Sequence, residues 1–261
     1  MSYIEQPLST ISVFKRGISL GWSCIVPLLL LYVVTALPGL FAPLSGLGVG
    51  PHPELSALLL KLGLDLFNIF LMVWASGVSM VMLYNVATGE RRSFMQSLLS
   101  VLKRTGALLA LWLVTSLLIG IGLLLLVVPG IYIAVMLSMV LFPLILERRG
   151  PIDSINTSFA LVKGNWWHTA GILGLTMLAG VVVYIAITAA FVSLLIGVVS
   201  LGQPVPQESD LAMLGMMITI PVVLSVFQAM LTVLANGVIV ITYLNLHARN
   251  QEPGELAVEL A

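Results

Sequence analysis

The side chains able to do covalent or metal chemistry are few and far apart. Histidine occurs at His52, His168 and His247, and cysteine only at Cys24. Metal sites legible in a sequence show ligands at short, regular spacings, and here no histidine has a nearby Cys and no HExxH-type spacing occurs. They read instead as polar residues of an outer loop (His52) and of two membrane interfaces (His168, His247). No serine stands in a nucleophile-elbow context and no aspartate pair lies within an apolar run. The single cysteine excludes an internal disulfide, and its apolar surroundings suit an inert buried thiol. No catalytic residue, metal or cofactor is therefore expected, and a non-enzymatic protein is.

Among the polar residues in apolar surroundings, Lys61, Asp65, Asn68, Gln228 and Asn236 stand out. Lys61 and Asp65 are four apart and share a helical face. Ionisable groups at membrane depth mark transport or proton paths, whereas a shallow pair needs only to snorkel to water. Asn68, Gln228 and Asn236 are the deepest uncharged polar groups. They suit a polar path, or interhelical hydrogen bonds worth about 1 kcal/mol each. Gly17 with Gly21, and Ala75 with Ser79, have the small-xxx-small spacing that lets helices approach closely.

Helices across a bilayer must carry these residues. The chain is 59% hydrophobic and 8% charged, with a mean hydropathy of +1.12. A soluble domain has about 25% charged residues. A chain this poor in charge cannot cover itself with hydrated surface, so lipid must be part of its solvent. The expected class is an all-α, polytopic transmembrane helical bundle of about six spans. The candidates are 22–40, within 66–87, 106–128, 131–146, 166–199 and 216–247. Pro129-Gly130 is expected to make a tight turn between the third and fourth. Lys15 and Arg16 before an apolar run resemble a signal peptide, but no small-x-small cleavage site follows, and a retained span is expected. Residues 1–250 form one membrane domain on this reading, and 251–261 a short polar cytoplasmic tail.

Charge placement orients the chain. Lys15, Arg16, Arg91, Arg92, Lys103, Arg104, Arg148, Arg149, Lys163 and Arg249 all fall in the N-terminus, the 2–3 and 4–5 connections and the C-terminus; only Lys61 falls elsewhere. The positive-inside rule places both termini in the cytoplasm. Net charge is zero, so no basic field argues for nucleic acid.

The stretches 9–20, 93–104 and 151–163 each combine apolar residues at helical spacing with basic or glycine punctuation, and each precedes a long apolar run. Ser93 with Gln96 fits a capping box, and Pro151 fits a first helical turn. Three parallel pseudo-repeats follow, about 9–92, 93–150 and 151–250. Each pairs an amphipathic helix at the cytoplasmic interface with a two-span hairpin. Symmetry would gather Lys15, Arg16, Arg91, Arg92, Lys103, Arg104, Arg148, Arg149 and Lys163 into a basic collar for anionic lipid headgroups, with Trp166 and Trp167 anchoring at the same depth. The alternative is that these charges only set orientation.

The run PGIYIAVMLSMVLFPLILERRGPIDSINTSFALVKGNWW, residues 129–167, resembles the membrane domain fused to some glycerophosphodiester phosphodiesterases and the related small YciC-type bacterial membrane proteins. The matching positions are Pro129-Gly130, Leu146-Glu147, Gly150-Pro151, Ser158-Phe159, Leu161 and Gly164-Asn165-Trp166-Trp167. Phe159 stands where another aromatic, often Trp, is usual. Outside this run only the hydropathy agrees. The resemblance implies a multi-span domain associated with lipid or envelope upkeep in a bacterial inner membrane, without the phosphodiesterase chemistry. The expected function is lipid organisation or handling, or envelope maintenance. The rivals are a transporter or channel-like subunit and, third, an intramembrane enzyme. Expected partners are membrane phospholipids, with other inner-membrane proteins or a second copy of the chain as further candidates.

Overall fold

A computed structural model of the chain describes residues 7–40, 53–90, 93–200 and 210–250. These residues are all-helical, with no strand among them. The order is α1 (Thr10–Ser23), α2 (Ile25–Leu40), α3 (Pro53–Thr88), α4 (Phe94–Leu102), α5 (Thr105–Leu125), α6 (Val127–Met136), α7 (Leu141–Ile145), α8 (Pro151–Lys163), α9 (Trp166–Ser200) and α10 (Asp210–Asn250). Five segments are long and apolar enough to cross a membrane: α3, α5, α6 with α7, α9 and α10. A sixth exists if α1 and α2 count as one broken span, and this is compatible with a multi-pass membrane protein.

The first expected span is thus a bent pair. α1 and α2 meet at 76° around Cys24. Pro27 explains the break, because it has no N–H for the carbonyl of Ser23 and its ring crowds that carbonyl. Ser23 Oγ also donates back to the Leu20 carbonyl at 2.7 Å. Pro143 likewise offers no N–H to the Met139 carbonyl, and the helix loosens into hydrogen-bonded turns at 137–140, yet 127–145 still counts as one span.

The Pro129-Gly130 turn is corrected. The chain reverses at Leu126, whose backbone is extended (φ −164°, ψ 146°), and Pro129-Gly130 lies inside the first turn of α6. Proline suits that turn because its amide would be unbonded there anyway. Gly130 has a different task. A Cβ on it would stand 2.8 Å from the Leu123 backbone nitrogen, and one on Gly122 would stand 3.0 Å from Gly130 Cα. The two glycines let α5 and α6 close into a hairpin.

The stretches 9–20, 93–104 and 151–163 are helical, as α1, α4 and α8. Ser93 and Gln96 form the reciprocal capping box, and Pro151 starts α8. α1 packs lengthwise on α10. The Leu8 amide donates to Asn245 Oδ1 at 2.7 Å, and a Cβ on Gly21 would meet Leu234 Cα at 2.9 Å. Rising along α1 therefore means descending along α10, over about 16 Å at 1.5 Å per residue.

The core gathers α1, the first half of α2, the C-terminal halves of α3 and α10, and α6–α7, around Leu28, Leu83, Met139, Phe142 and Ile241. A second cluster joins α3, α4, α5 and α7 through Val78, Val101, Leu108 and Leu144. Beyond the core, Leu58, Leu59 and Phe67 of α3 and Leu178, Val182 and Ile185 of α9 stand exposed. The most apolar stretch of α9 buries none of its residues. Apolar surface of this extent has lipid as its natural solvent.

Candidate functional site

The end of the bundle where α3 and α10 stop carries most of the converging polar groups. Asn245 and Arg249 are four apart on one face of α10. Asn245 Oδ1 accepts the Leu8 amide, so Nδ2 faces His168 and donates to Nε2 at 3.0 Å. That places the ring proton on Nδ1, which reaches Thr10 Oγ1 at 3.3 Å. Arg249 Nη2 donates to the Leu8 carbonyl at 2.8 Å, and Asn250 Nδ2 to the Leu161 carbonyl at 3.0 Å. The Asn165 amide donates to Asn250 Oδ1 at 3.0 Å. Both His168 nitrogens are engaged, so its ring ties together the starts of α1 and α9 and the end of α10.

Beside this junction, Glu147 joins the end of α7 to α10. Its Oε1 accepts from the Tyr243 hydroxyl at 3.0 Å and its Oε2 from Arg149 Nε at 2.6 Å. Arg149 reaches on to Thr157 Oγ1 at 3.0 Å. The Tyr243 ring stacks on Phe142 at 4.1 Å and meets Tyr84 edge-on at 6.3 Å and His247 at 4.6 Å. Arg104 donates to the carbonyls of Arg148 and Arg149 at 2.9 and 3.1 Å, holding a turn in which Arg148 has φ 57°.

Deeper in the bundle lies a buried polar node. Asn236 Nδ2 donates to Tyr32 Oη at 2.8 Å and to Ser79 Oγ at 3.2 Å, and Tyr32 also bonds Ser76 Oγ at 3.1 Å. It joins α2, α3 and α10. Ala75 and Ser79 are fully buried on this face. Asn68 is separate, donating to the Thr35 carbonyl at 3.4 Å. Gln228 is exposed and lines a groove, so the three amides do not meet.

That groove, about 740 Å³, runs between α9 and α10 over a floor from α1. Phe14, Ile18, Met177, Tyr184, Leu231 and Val238 dominate its surface, with Thr176, Gln228 and Thr232 as polar points. Its size lies within the range of ligand clefts, about 300–1,000 Å³.

Lys61 and Asp65 form a 3.5 Å pair on α3 with both side chains about half exposed (60% and 49%), the geometry of a solvated or snorkelling pair. Lys15 and Arg16 lie in the middle of α1, not at its end, and both are exposed. Lys103 caps α4 and Lys163 ends α8, both exposed. Arg104 and Arg149 are committed to contacts within the chain. Arg91, Arg92 and His52, and the tail 251–261, lie outside the described residues. Trp166 stacks on Tyr132 at 5.5 Å, and Trp167 is 83% exposed. Among the described residues no three His, Cys, Asp or Glu side chains are placed to hold a metal.

Sequence reasoning did not single out Glu147, Tyr32 or Tyr243 as site residues. The recurrence of an aromatic near the end of three spans (Tyr84, Phe142, Tyr243) was the available signal. No family model, characterised protein or solved structure matches the chain.

Proposed function

We propose that this is a non-enzymatic lipid-handling protein of a bacterial cytoplasmic membrane, crossing it six times with both ends inside. The observation that carries this reading is the groove between α9 and α10. Both helices are candidate spans, so an opening between them faces lipid, and its lining suits an acyl chain. The resemblance of residues 129–167 to membrane domains associated with lipid or envelope upkeep points the same way. The enzyme alternative would draw on Glu147, Tyr243 and His247. Their cleft holds no Ser, Thr, Cys or Lys among its described lining residues. The transport alternative has less support, since Asn68, Gln228 and Asn236 do not form a path.

The plan is three units, α1–α3, α4–α7 and α8–α10: in the second and third a short helix precedes a two-span hairpin, and in the first α1 is itself the opening half of the broken span α1–α2. Corresponding aromatics of the closing helices, Tyr84, Phe142 and Tyr243, meet in one cluster, which favours rotation about a common axis. Lys15, Lys103 and Lys163 supply the basic collar, at about 1 kcal/mol for each group near an anionic leaflet.

Gly180 lines the groove, and a Cβ there meets nothing within 4 Å. Gly180→Phe should fill the groove without disturbing the fold, and should lose most of the phospholipid that co-purifies, counted by mass spectrometry. Gly120→Phe, equally unobstructed on α5 and outside the groove, should retain it. Equal retention by both would refute the groove as a lipid site. In the same preparations, Lys103→Gln with Lys163→Gln should lower the anionic share, and Lys61→Gln should not.

Orientation has its own test. Alkaline phosphatase fused after Gln203 should be active, and fused after Arg249 inactive. The reverse would overturn the topology.

A further inference from the structure

A cleft of about 460 Å³ opens between the ends of α3, α7 and α10, lined by Tyr84, Asn85, Glu90, Glu147, Tyr243 and His247, with Leu146 and Leu244. Asn85 is only 2% exposed. Its Nδ2 donates to Ser97 Oγ at 3.4 Å, while its Oδ1 has no hydrogen-bond partner among the described residues. Exchanging the amide's O and N would only move the vacancy to the nitrogen, so one buried polar atom stays unsatisfied either way. Native proteins rarely tolerate this, and a ligand is one physical reason for it.

The chemistry around that atom selects the ligand. Asn85 Oδ1 needs a donor. Glu147 keeps lone pairs beyond those taken by Tyr243 and Arg149, because each carboxylate oxygen accepts more than one bond. Glu90, which has a partner of its own, lines the same cleft. Tyr84 and Tyr243, 6.3 Å apart, add ring surface that attracts cations. We infer that the cleft binds a primary alkylammonium group, which has three N–H donors and one positive charge. A quaternary ammonium is excluded from the same role because it has no N–H to give Asn85. The group can come from a lipid with an ethanolamine headgroup or from a free amine. The inference does not rest on the groove, which lies between other faces of the bundle.

The test uses the full chain, delipidated in detergent. Native mass spectrometry is run with equimolar phosphatidylethanolamine and phosphatidylcholine of matched acyl chains. Thermal unfolding is followed in parallel with ethanolamine or choline. Wild type should favour the ethanolamine lipid by about tenfold, the scale of one charge-assisted hydrogen bond. Asn85→Leu should bring the ratio near one. If wild type shows no lipid preference but ethanolamine, not choline, stabilises it, and Asn85→Leu abolishes that effect, the ligand is a free amine. Wild type showing neither effect, or Asn85→Leu keeping whichever effect wild type shows, overturns the inference. Should Asn85→Leu fail to fold, the near-isosteric Asn85→Asp decides. A carboxylate there should hold the ammonium as well or better, whereas loss of the preference would sink the site.

Discussion

Gly237→Val should destabilise the protein by about 3 kcal/mol, the upper end of ordinary overpacking. A Cβ on Gly237 would collide with the carbonyl oxygen of Gly17 and stand 2.8 Å from the backbone nitrogen of Gly21. These are main-chain atoms and cannot swing aside as a side chain tip can. α1 would have to lift from α10, and the bonds of Leu8 to Asn245 and Arg249 at its start would be strained. Helix propensity works in the opposite direction, since valine is a better helix former than glycine by some tenths of a kcal/mol. A loss therefore cannot come from the helix itself. SDS-titrated unfolding of the solubilised protein reads the effect, with Gly120→Ala as the unobstructed control. A loss no larger than the control's would show that the close contact of α1 and α10 carries no weight.

Asn236→Leu is the second large effect, a loss of about 1–2 kcal/mol. Asn236 is 4% exposed and donates to two partners on two other helices. Leucine fills much of the space but leaves Ser79 Oγ and Tyr32 Oη each without that donor. Tyr32 keeps Ser76, so Tyr32→Phe alone should cost less. The double variant should cost less than the sum of the singles, with a coupling near 1 kcal/mol. Additive losses in the same unfolding assay would mean that the two side chains do not interact.

Both sites were legible as spacing but not as structure. Gly17-xxx-Gly21 announces a close helix contact, and the chain itself does not say that the partner is Gly237. Asn236 stands out as a polar residue in an apolar run, and nothing local pairs it with Tyr32, 204 positions away.

What the sequence determined by itself follows from local physics. A bilayer admits only backbones that satisfy their own hydrogen bonds, so long apolar runs with few charges had to be helices. Counting such runs gives about six, against five in the structure, or six if α1 and α2 form one broken span; the start of α4 follows from a capping box whose two bonds lie within four residues. The Leu126 reversal was missed because Pro129 reads as a breaker unless it falls in a first helical turn, and where that turn begins depends on α5 packing against α6. The bend at Cys24 was missed in a similar way, since the hydropathy of 22–40 is continuous across it. Only the tertiary structure decided which side chains meet: the Glu147–Tyr243–Arg149 contact, the Asn245–His168 tie, the groove and the unsatisfied Asn85. Hydropathy specifies that a helix enters the membrane, and nearly any apolar surface satisfies that demand. Which faces then pair is set by shape fit and by a few buried polar groups, information spread over residues far apart in the chain.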